Sequence, residues 1–190
     1  MTYFLPCDII LTSDDTWLSK VIQFFERAPD EPKALVSHVG AIISGGPEAE
    51  AIIVEALSHV RRHRLWDEYG GRKTRVGAFR PLDLTRDQRA RIIAGLESYV
   101  GRDYGYLKLV AHGLDWGLSK IFLRDVYLWR RLFCLDRYPI CSWVVAQAWA
   151  RAGLTFGVAP GQAQPDDIWD FCMSHPEKYE LLRGLVPMET

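Results

Sequence analysis

Two residue types in this 190-residue chain do nucleophilic or acid–base chemistry near neutral pH: four cysteines (Cys7, Cys134, Cys141 and Cys172) and five histidines (His38, His59, His63, His112 and His175). Cys141 has the most telling position. Pro139 stands just before a strongly apolar run from Ser142 to Ala150, and Gly153 can close it, which predicts a helix with Cys141 at its N-terminus. There the unpaired backbone N–H groups and the positive end of the helix dipole favour a thiolate and can stabilise a developing oxyanion. The competing reading is a small residue buried for packing, a common fate of free cysteine. Cys7, Cys134 and Cys172 lie in apolar surroundings without capping signals and read as packing residues.

His38 and Glu55 supply the complementary pair. Leu35-Val-Ser-His-Val-Gly-Ala-Ile-Ile reads as a strand, Gly45-Gly-Pro as a turn and Ala51-Ile-Ile-Val-Glu-Ala as the returning strand. If the turn centres between Gly46 and Pro47, His38 faces Glu55 directly, with Cβ atoms about 4.5 to 5.5 Å apart. A carboxylate there would fix the imidazole tautomer and support the imidazolium. The same pair could equally be an exposed structural contact. His59 and His63, at i and i+4, suggest a metal pair on a helix, but Arg61, Arg62 and Arg64 beside them repel a cation. His112 and His175 have no visible partner and read as surface or structural residues. Neither a metal nor an organic cofactor is expected.

The elements that must position these side chains are legible in outline. Asp8-Ile-Ile-Leu-Thr suits a strand, and a core-facing helix is expected from about Thr16 to Arg27, ended by Pro29 and Pro32. Thr74 to Pro81 reads as a further strand. Thr85-Arg-Asp-Gln88 is a capping box opening a helix with the apolar stripe Ile92, Ile93, Leu96 and Val100, ended by Gly101. The aromatic-rich run from Tyr104 to Phe133 is mostly helical in pattern, and its rings would either pack the core or line an apolar site. Pro165-Asp-Asp-Ile begins a last short helix, and Tyr179-Glu-Leu-Leu suits a final strand. These make one domain over residues 1–190, a sheet of at least four strands packed by helices.

Composition limits the partners. The chain has 23 basic and 24 acidic residues, so no global field attracts nucleic acid or an anionic membrane. No apolar run approaches the roughly 18 residues of a bilayer span. The N-terminus lacks secretory-signal features, so the expected location is the cytoplasm, with delivery by a phage or secretion machine as the route to any outer target.

The ordered set Asp8-Ile-Ile-Leu-Thr, Ser37-His-Val-Gly, Val54-Glu-Ala, Gly101-Arg-Asp-Tyr and Tyr138-Pro-Ile-Cys-Ser resembles the permuted papain-like amidases of the YiiX and YaeF type, relatives of the NlpC-type cell-wall peptidases. The likeness spans most of residues 6–170 and includes Pro165-Asp-Asp-Ile. It implies a circularly permuted papain-like fold of the α+β class, an antiparallel sheet packed by helices, with Cys141 as nucleophile, His38 as base and Glu55 as the third polar residue. Tyr104 and Tyr138 fall at positions where the resemblance implies substrate contacts. This chain departs from the family in three places: Cys7 replaces a glycine, Gly105 replaces an acid, and Pro139-Ile140 separates Tyr138 from Cys141.

The expected activity is hydrolysis of a peptide or N-acyl amide bond through a thioester, on a small peptide, cell-wall or lipid-like substrate. Two rivals use the same chain differently. One is lipid acyl transfer or thioester hydrolysis on the same fold; the other is a non-catalytic binding module of a phage or secretion assembly.

Overall fold

The computed structural model describes residues 2–14, 35–103 and 140–189. The expected helix from Thr16 to Arg27, the aromatic segment from Tyr104 to Phe133, Cys134 and the residues Tyr104 and Tyr138 lie outside them. The architecture is α+β. Among the described residues, eight strands are β1 (Tyr3–Phe4), β2 (Ile9–Ser13), β3 (His38–Ser44), β4 (Gly46–Pro47), β5 (Ile52–Ala56), β6 (Val60–Arg64), β7 (Arg75–Pro81) and β8 (Tyr179–Pro187). Four helices among the same described residues are α1 (Leu65–Tyr69), α2 (Arg86–Glu97), α3 (Cys141–Arg151) and α4 (Pro165–Ser174).

Six strands form one antiparallel sheet in the order β6-β5-β3-β2-β7-β8, and β1 pairs with β4 beside it. Gly46 and Pro47 therefore belong to this small ladder, and the chain turns after them, where Glu50 N–H bonds the carbonyl of Pro47. Alternation along the strands divides the apolar residues between the two faces of the sheet. One face carries Ile9, Leu11, Val39, Ala41, Val54 and Phe79 under Ile92, Leu96, Val144, Trp149 and Ile168 of the helices. The other carries Ile10, Ile42, Ile53, Val76 and Ala78 with Phe4, Leu65 and Tyr69.

Two of the helices, α2 and α4, begin where side chains bond backbone donors. Thr85 and Gln88 form the expected capping box, Thr85 Oγ1 accepting from Gln88 N–H at 3.1 Å and Gln88 Oε1 from Thr85 N–H at 3.0 Å. The helix ends earlier than expected, at Glu97; Val100 is exposed beyond it, and Gly101 serves a following turn at φ 87°. α4 starts at Pro165, with Asp167 accepting from the Gln164 N–H. Near the start of β2, Cys7 has φ 77°, where a glycine would be unstrained.

Candidate functional site

The candidate site begins at the N-terminus of α3. Ile140 is the N-cap and Cys141 the first helical residue, 5% exposed, on a helix that packs against α2 and β3. Eight of its eleven residues are buried, which fixes its seating on the sheet and with it the position of the thiol. The Cys141 sulfur is hydrogen-bonded to His38 and accepts from the backbone N–H groups of Ser142 and Val39. Burial alone would raise the thiol pKa. The charge of His38, its hydrogen bond and the two N–H groups outweigh that and lower it.

His38 opens β3. Its Nε2 lies 2.6 Å from Oε2 of Glu55, which leaves Nδ1 as the ring nitrogen for the sulfur. Burial would lower the imidazole pKa, but the Cys141 charge, the Cys141 hydrogen bond and Glu55 raise it to about 10. Both shifts favour a thiolate–imidazolium pair over the neutral one.

Glu55, on β5, is 1% exposed. Its Oε2 accepts from the Tyr69 hydroxyl at 2.6 Å as well as from His38, and its Oε1 lies 2.7 Å from Nε2 of His63. Burial would raise the carboxyl pKa; the bonds from His38 and His63, the His38 charge and the Tyr69 hydroxyl hold it down at about 2. A buried carboxylate with three donors is a satisfied anion.

The structure brings Cys141, His38 and Glu55 together, by a register that differs from the expected one. Glu55 pairs with Gly40, so His38 reaches it along the diagonal from two residues away on the same face. The cause is where the turn falls: Gly46 and Pro47 pair with β1 and the chain reverses after them, so Ser44 faces Ile52, and a bulge that leaves Ile43 unmatched then steps the pairing by one residue to Ile42 with Ile53 and Gly40 with Glu55. Gly40 makes room for this: an added Cβ would come within 2.8 Å of the Glu55 Cβ and 2.7 Å of Ile53 Cδ1.

The expectation for His59 and His63 is overturned. Residues 60–64 are strand β6, and His59 lies in a bridge to Asp103, so the two histidines are not on a helix. His63 instead meets Glu55, and Tyr69 arrives on the short helix after the strand. Neither partner of Glu55 was anticipated. The alternation in Val60-Arg-Arg-His-Arg was the available signal, since Arg61 and His63 share the face of Glu55 once β6 pairs beside β5.

The remaining thiols contrast with Cys141. Burial pushes Cys7 up to about 12 and raises Cys172 as well. His175 stacks on Phe171 and bonds its carbonyl, a structural role.

These features define an α+β protein with a thiol, two imidazoles and a carboxylate in contact at one end of an antiparallel sheet. Among solved structures the chain is similar to YiiX from Escherichia coli O157:H7, described as a metalloprotein, with a TM-score of 0.55 and 20% identity over 80% of this chain and 69% of that one. The likeness supports a YiiX-like fold. No protein-family model and no curated protein matches the sequence. For a metal the fit is poor: among the described residues no group of three or more His, Cys, Asp or Glu is arranged to hold an ion, and both Glu55 oxygens are occupied by donors. Also among the described residues, no helix is long and apolar enough to cross a membrane.

Proposed function

We propose that the protein is a cysteine hydrolase that cleaves an amide bond, of the peptide or N-acyl kind, through a thioester on Cys141. The observation that carries this reading is a cysteine at the first position of a helix, against a histidine that is itself held at 2.6 Å by a buried carboxylate, an arrangement that lowers the thiol pKa. Purely structural thiols in the same chain, Cys7 and Cys172, are shifted the other way.

In this reading the Cys141 thiolate attacks the carbonyl carbon, and the oxyanion is met by backbone N–H groups in the first turn of α3, which have no acceptor within the helix. The His38 imidazolium passes its proton to the leaving amine as the C–N bond breaks, leaving the acyl group on sulfur. Neutral His38 then takes a proton from water, whose oxygen attacks the thioester; the acid leaves and the ion pair is restored. Glu55 supports the charge on His38 throughout and itself stays ionised.

We infer further that the fold is the circularly permuted papain-like one. Support comes from chain order, with the histidine strand β3 preceding the cysteine helix α3, and from the YiiX-like architecture.

The test is incubation with an N-acyl amide and peptide panel, with mass spectrometry of the protein under acid quench. An acyl adduct on Cys141 and release of free amine are expected, both abolished in Cys141→Ala. Undiminished turnover by that variant would refute the assignment. Transfer of the acyl group to an added alcohol or lipid instead of water would make the protein an acyltransferase.

A further inference from the structure

Both ring nitrogens of His63 face acceptors. Nδ1 lies 3.0 Å from the carbonyl of Arg64 and Nε2 lies 2.7 Å from Oε1 of Glu55. A neutral imidazole has only one N–H, and one of these contacts would then set a nitrogen lone pair against an oxygen lone pair. A carboxyl proton on Oε1 could relieve that clash, but the His38 ring and the Tyr69 hydroxyl already bond the other oxygen of this carboxylate, and with the His38 charge beside it the group is held ionised. The arrangement is satisfied when both His63 nitrogens carry protons.

From this we infer that His63 is a second imidazolium on the Glu55 carboxylate, a positioning residue whose charge sets the pH range over which Cys141 and His38 stand as an ion pair. The inference rests on the proposed function for its catalytic meaning, though the protonation of His63 can be measured without it.

Among the described residues, the groups facing His63 are few. From β5 comes Glu55, whose bond and charge favour the protonated ring; from β3 comes His38 on the other carboxylate oxygen; from α1 comes the Tyr69 hydroxyl on that same oxygen. On its own strand Arg61 opposes the charge, and Arg61 is engaged by Glu68 of α1 at 2.5 Å. Burial also opposes it, yet the net direction for His63 is upward. Tying down Oε1 leaves Oε2 aimed at His38, so the ring orients the carboxylate. Its positive charge also repels a proton on His38 and favours the anion on Cys141. Both effects move the ion-pair range toward lower pH. Loss of one proton from His63 would keep the Nε2–H bond and remove only the charge.

The substitution His63→Gln separates these roles, since its amide can donate to Oε1 without charge. Iodoacetamide alkylation of Cys141 as a function of pH reads the thiolate. Two-bond 1H–15N spectra read the protonation of His38 and His63. In the wild type at neutral pH, His63 is expected to show the doubly protonated pattern. In His63→Gln both limits are expected to move up, that of His38 by roughly half to one pH unit because it shares the carboxylate, and that of Cys141 by less. Limits unmoved in a folded His63→Gln, or a neutral His63 ring in the wild type, would overturn the inference. Cys141→Ala keeps the Glu55–His63 contact: His63 doubly protonated there supports the charge assignment even if no amide is ever cleaved, and a neutral ring there refutes it. Unselective alkylation of wild-type Cys141 alongside an unchanged His63 pattern would count against the hydrolase reading alone.

Discussion

Glu55 is the residue on which the others depend, because its charge is buried and three side chains spend their polar hydrogens on it. Replacing it by alanine strands those donors, and a loss of about 3 kcal/mol in urea-unfolding free energy is expected. Glu55→Gln should cost less stability but still slow the alkylation of Cys141, since a neutral amide does not support the His38 imidazolium. The pH dependence has a defined sign. Folding lowers the carboxyl pKa from its ordinary 4.5 to about 2, so its contribution is complete above about 4.5 and is lost as the pH falls toward 2. Urea midpoints measured from about pH 6 down to pH 3 should therefore fall for the wild type and fall less for Glu55→Gln. The thiol–imidazole pair adds little slope between the ordinary values of 6.5 and 9.0, because His38 takes up the proton that Cys141 gives away. Cys141 should be alkylated near neutral pH well before Cys7 and Cys172, which mass spectrometry of tryptic peptides resolves.

At the scale of elements, the β3–β5 hairpin decides whether His38 and Glu55 meet. Gly40 lies across from Glu55 with no space for a methyl group, so Gly40→Ala should push the strands apart at that point. A stability loss of about 1–3 kcal/mol is expected, with a rise in the Cys141 thiol pKa measured by alkylation. The hairpin was legible from its β-branched runs and glycine-rich turn, and so was the pairing of histidine with glutamate. Its register was not, because Gly46 and Pro47 pair with β1 and the turn falls after them, a long-range pairing that leaves no mark in local composition. β6 was missed for a related reason. Its arginines and histidine look solvated in isolation, and only pairing beside β5 turns their alternation into one face that reaches Glu55. By contrast, the capping box at Thr85 and the proline at the start of α4 announce helix starts through local hydrogen bonds, and both helices begin there. Thr85→Ala should lower stability by about 1 kcal/mol, read by thermal unfolding.

Across the whole molecule, the α+β class and the antiparallel sheet follow from alternating strand patterns, whereas the strand order places β2 in the middle and the C-terminal β8 at an edge, a closure that local signals do not encode. The helix start at Cys141 was visible in the sequence; its meeting with His38 depends on how α3 lies on β3. The groups around Glu55 all come from residues 38–69, while the sulfur comes from residue 141. The acid–base half can thus assemble from neighbouring strands, and the nucleophile joins only when a distant helix docks. A newly made or half-refolded chain would carry an ordinary, sluggish thiol, safe from stray acylation and oxidation. Chemical potency would then arrive only when α3 docks, and a short pulse of alkylating reagent during refolding would date it.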